Sequence, residues 1–88
     1  MEIMKPKPEM FLLPEGTRDV TYAEHQQHLG YTPLPSLQTR DGKVVSQWKP
    51  DAGELELLKN GVPITLCVWT FGRPLQPVCI AVGGMDLR

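Results

Sequence analysis

Neither sign of charge predominates in this chain: nine basic residues stand against ten acidic ones, for a formal net charge of −1. Phosphate affinity needs a net cationic surface, so the balance argues against a general nucleic-acid binder. No run of like charges marks a tail or a polybasic membrane patch. Long hydrophobic runs are missing as well. The longest, Ile64 to Phe71, is far too short to span a bilayer. The opening MEIMKPKPEM has no hydrophobic segment of signal-peptide type. Cysteine is scarce: Cys67 and Cys79 are read as reduced thiols hidden in the core. A cytoplasmic protein that does not enter membranes is the expectation.

Motifs that carry catalysis are also lacking. There is no Walker-type loop, no G-x-S-x-G, no H-E-x-x-H and no pair of carboxylates on a credible scaffold. His25 and His28 stand three apart, a spacing metal sites use, but no third or fourth ligand lies at a partner spacing. The chain is expected to bind rather than to catalyse, without cofactor or metal.

What is present is a short, turn-rich chain. Eighty-eight residues make one domain at most, and so small a core is marginal without an added staple or oligomerisation. Nine Pro and eight Gly are above average use. Residues 1–16 read as an extended N-terminal arm, because Pro6, Pro8 and Pro14 forbid a continuous helix. Residues 17–88 read as a single small domain whose core comes from roughly its last fifty residues. The apolar run Met10 to Leu13 has no amphipathic period and should dock on its own domain or on a neighbouring subunit.

Thr21-Tyr22-Ala23-Glu24 fits a capping box for a short helix from about Tyr22 to Leu29, closed by Gly30. Residues 31–36 are proline-broken and extended. A first hairpin follows, with strands near Leu37–Thr39 and Lys43–Trp48 around Asp41-Gly42, which supplies the positive φ of a tight turn. Even spacing puts Val44 and Trp48 on the inward face. Asp51-Ala52-Gly53-Glu54 is a second capping box, opening a helix that stops at Gly61. Ile64–Phe71 is the strongest strand, and Gln76–Val82 returns after the turn Gly72–Leu75. The fold class is α+β: a small antiparallel β-sheet of two hairpins, one or two short helices and the arm.

Alternation along the second hairpin leaves both faces apolar, whereas a one-sided antiparallel sheet alternates apolar with polar. One short helix covers only one face. Either the arm folds over the other, or a second subunit does, and the shortage of core favours a homo-oligomer.

The turn of this hairpin holds the candidate binding site. Arg73 is the only Arg between Arg40 and Arg88, and Pro74 stiffens the backbone after it. Trp69, Thr70 and Gln76 lie close by. A guanidinium held beside aromatic faces suits a planar anionic ligand: the rings stack and the fork clamps phosphate or carboxylate. The plain alternative is a solvated turn arginine. Arg40, Lys43 and Trp48 on the first hairpin are candidates for the same surface.

The V-V-S-Q-W strand, the Pro-Asp-x-x-Glu-Leu helix start and the W-T-F-G-R-P-L-Q-P hairpin, spread over Asp41 to Pro77, resemble a group of small uncharacterised proteins of phages and prophages. Pro14 to Val20 is similar to their N-terminal part. The resemblance implies a phage accessory gene acting in the host cytoplasm. Such proteins often counteract host defence, by sequestering a nucleotide messenger in an oligomer or by binding a host protein; others are structural or assembly components.

Overall fold

Pairing begins at the very start of the chain. In the computed structural model, which describes residues 1–88, β1 (Glu2–Met4) lies antiparallel to β5 (Gln47–Lys49), with Ile3 opposite Trp48. Pro8–Met10 form one 3-10 turn. Phe11 then enters the core beside Leu37 and Leu87, and these three are the only buried large apolar residues. The apolar run of the arm therefore docks on its own chain. The core is drawn from the arm, the middle and the last few residues, and not from the last fifty as a block.

The second sheet has the order β2-β3-β4, all antiparallel: β2 (Arg18–Tyr22), β3 (Leu34–Gln38) and β4 (Val44–Val45). Ser36 and Leu37 point to opposite faces of β3 and both are buried, so β3 is covered on both sides. Pro35 is tolerated in this strand because β4 reaches only Leu37 and Gln38, leaving Pro35 a partner on one side alone. The Asp41-Gly42 turn forms as its residues demand, with Gly42 at φ 96°. Thr39 organises it: its N–H donates to the Lys43 carbonyl at 2.9 Å, and its hydroxyl accepts from the Lys43 N–H at 2.9 Å and donates to the Asp41 carboxylate.

Two expectations fail in this half. Tyr22–Leu29 is not a helix: Thr21 and Tyr22 are used in the ladder to Pro35 and Leu34, Ala23 turns at φ 57°, and only a 3-10 turn at Gln27–Leu29 survives before Gly30. Two turns of helix do not repay nucleation when a strand partner is at hand. Nor do Val44 and Trp48 face inward; they are 48% and 46% exposed, while Val45 packs on the core. The strand leaves one sheet at Val45 and joins the other at Gln47, so a single alternation cannot run through it.

Helix α1 (Ala52–Lys59) has its capping box: the Asp51 carboxylate accepts from the Glu54 N–H at 2.8 Å, and Glu54 accepts from the Asp51 N–H at 3.0 Å. No residue of α1 is buried, and Leu55 and Leu57 are about half exposed. Beyond it, the expected strands Ile64–Phe71 and Gln76–Val82 do not form, a correction to the second hairpin. The chain returns only at its end. Leu12 donates to the Met85 carbonyl at 3.1 Å and accepts from the Leu87 N–H at 2.8 Å. The result is a small α+β fold with antiparallel sheets of two and three strands and one α-helix. No helix is long and apolar enough to cross a membrane.

Candidate functional site

Residues 70–73 make a tight turn with a specific backbone signature. Phe71 and Gly72 sit at φ 56° and 81°, and the Arg73 N–H donates to the Thr70 carbonyl at 3.1 Å. Two successive positive φ values closed by that bond are the signature of a type I′ hairpin turn, whose twist matches the right-handed twist of β-strands. Its central pair is thus Phe71-Gly72, two residues earlier than the Arg73-Pro74 centre of the expected turn. A phenylalanine at positive φ is uncommon and strained, and Phe71 occupies that position at the tip of the turn.

That placement sets the site. The Trp69 and Phe71 rings stack with centroids 5.1 Å apart and planes at 17°, and they are 79% and 70% exposed. Beside them lies an open concavity of about 250 Å³, into which Trp69, Thr70, Arg73 and Gln76 contribute, with Val68, Pro74, Pro77 and Val78 as apolar walls. Four of the seven residues expected from sequence are brought together here. They are near in sequence, so the turn alone accomplishes it.

Arg40 and Trp48 lie elsewhere. The Arg40 stem is laid over Gly16, where an added Cβ would come within 2.1 Å of its Cδ. Trp48 pairs with Ile3 in the β1–β5 sheet, and its indole N–H donates to the Ser46 hydroxyl at 3.0 Å. Lys43 is engaged with Asp41 at 2.9 Å and the Leu87 carbonyl at 3.3 Å.

The other charges near the fold are satisfied locally. The Thr39 hydroxyl, and then the Lys43 ammonium, hold the Asp41 carboxyl below the usual carboxylate range. Hydrogen bonds from Arg88 do the same for Asp86. Arg73, by contrast, takes part in no ion pair and no side-chain hydrogen bond. Arg73, Thr70 and Gln76 bring hydrogen-bond donors to its concavity, and Trp69 an aromatic face.

Both thiols contradict their expected burial. Cys67 and Cys79 are free and exposed, because the strands meant to hide them have nothing packed on them. His25 and His28 belong to no group of three or more potential metal ligands. A second concavity, about 190 Å³, lies between Glu54, Leu57 and Leu58 of α1 and the stretch Val62–Thr65. Its sequence signal was the surplus of leucine on a helix with little to cover it. No protein family, curated protein or solved structure matches the chain.

Proposed function

We propose that this is a phage accessory protein that binds a small, planar, anionic ligand of nucleotide type at the 70–73 turn, sequestering it from host defence in the host cytoplasm. One observation carries the reading: Arg73 is an unpaired cation in a concavity next to two stacked, exposed rings. Exposed aromatic pairs are costly in water and suit a base or other flat ring as a third layer. The guanidinium supplies a bidentate partner for phosphate, with Thr70 and Gln76 as neutral donors. The resemblance of Asp41–Pro77 to phage accessory proteins supplies the biological setting.

The test is calorimetry with linear and cyclic nucleotides on the full chain. Arg73→Ala removes a charge-assisted bond and should weaken binding by roughly ten- to a hundred-fold. Arg73→Lys should restore only part of it, because the ammonium cannot form the fork. Wild-type binding that persists at full strength in Arg73→Ala moves the site elsewhere.

A second reading is favoured by a separate observation, the apolar exposure of residues 62–82. It makes the chain a structural or assembly component of the phage, or an inhibitor docked on a host protein. Open-ended particles in solution support the assembly role; a closed oligomer that retains a nucleotide supports the first reading.

A further inference from the structure

A folded chain of this mass exposes roughly 5,200 Å², yet this one exposes 7228 Å². Its radius of gyration is 14.4 Å, where about 12 Å is usual for the length. The surplus of about 2,000 Å² has a clear location. Every residue from Gly61 to Gly83 is exposed except Thr70, which is half-buried. Val62, Ile64, Leu66, Val68, Ile80 and Val82 are among them, the last at 95%. No backbone hydrogen bond engages residues 63–69 or 74–84.

Such a segment is β-branched and aromatic, and its composition calls for a ladder. The turn for a hairpin is already made, but prolines stop the hairpin from closing on itself. With Thr70 and Arg73 as one hydrogen-bonded pair, the next are Val68 with Leu75 and Leu66 with Pro77. Pro77 has no N–H to give, so the Leu66 pair could make at most one of its two bonds, and neither it nor the Val68 pair is made. Ile64–Thr70 contains no proline on either edge, and neither does Val78–Val82.

We propose that residues 62–82 form an exchange segment, in which Ile64–Thr70 pairs edge to edge and antiparallel with the same run of a second copy of this chain. Charge points to a like partner. Arg73 is the only charged residue from Val62 to Val82, so the segment offers nothing that selects a charged foreign surface and none of the edge charges that keep strands apart. Area agrees: removing about 2,000 Å² from each of two copies falls within the range of obligate homodimers. Both faces of the segment are apolar, and an isologous contact around a two-fold axis presents the same patch from each copy. The half-exposed Leu57 of α1 lines a concavity with Val62–Thr65 and provides further apolar surface next to it. The pairing does not depend on a ligand. A consequence does rest on the reading above: a concavity of about 250 Å³ is smaller than usual ligand sites, and the second copy supplies its missing wall.

The experiment uses the full chain without nucleotide. Mass by sedimentation and amide exchange by mass spectrometry are followed from about 100 µM to about 1 µM. A mass of two copies or a closed multiple of two is expected at the upper end, with amides of 64–70 protected there and released as the mass falls. Val68→Lys and Ile80→Lys, both placed on exposed positions, should lower the mass at equal concentration. A single-copy mass at every concentration overturns the proposal, and so does fast exchange of 64–70 in a species of two copies. Lysine variants with unchanged mass overturn it too. Loss of nucleotide binding with pairing intact counts against the ligand reading alone.

Discussion

Phe11 is the sharpest probe of whether the arm belongs to the fold. Its ring is 8% exposed and packs with Leu37 and Leu87, backed by the partly buried Leu13, Val45 and Met85. The residues on either side, Met10 and Leu12, are 43% and 50% exposed. Phe→Ala in a core costs about 3–5 kcal/mol. The cluster is small and near the surface and can partly collapse, so the lower end, about 3 kcal/mol, is expected here. A chain of this length holds about 4–13 kcal/mol in all, and three buried apolar residues place it toward the bottom of that range. Phe11→Ala should therefore lower the melting temperature by about 12–24 °C. Leu12→Ala, which keeps both backbone bonds to the tail, should change stability by under about 1 kcal/mol. The assay is circular dichroism against temperature and urea, at one fixed protein concentration because self-association shifts the midpoint. A Phe11→Ala melt within a few degrees of wild type would refute the reasoning, as would a larger loss from Leu12→Ala.

Three further outcomes follow from the same geometry. Gly84→Ala places a methyl within 1.6 Å of the Met10 carbonyl oxygen, so the tail must shift off the arm; a loss of about 1–3 kcal/mol is expected in urea melts, and a neutral effect would show that the 85–87 contact is not made. The lowered Asp41 pKa contributes stability that is present above the ordinary carboxylate pKa and lost as pH falls through the folded value. Wild type and Asp41→Asn should thus differ in urea midpoint at neutral pH and converge in acid; an offset that persists at low pH contradicts the assignment. Cys67 and Cys79 should react quickly with a maleimide in dilute protein, and Cys67 more slowly as concentration rises and its strand is paired. Slow labelling even at high dilution would mean the thiols are buried within one chain.

Local chemistry determined a good part of this protein. The Asp51 capping box, the Asp41-Gly42 turn and the α+β class follow from short-range rules, because each depends on residues within a few positions of one another. The Arg73 cluster was legible for the same reason: its members lie within one turn. Long-range partners decided the rest. Thr21-Tyr22 carries a helix-start pattern but has β3 alongside, and the ladder wins over a two-turn helix. Lys43–Trp48 reads as one strand, yet two different partners divide it at Ser46. The apolar pattern of 64–82 specifies strands, but periodicity names no partner, and Pro77 denies the hairpin its own second half. The tertiary structure places Phe11, Leu37 and Leu87 together from the two ends and the middle of the chain, a meeting that no local signal announces, since burial is a property of what the rest of the chain brings alongside.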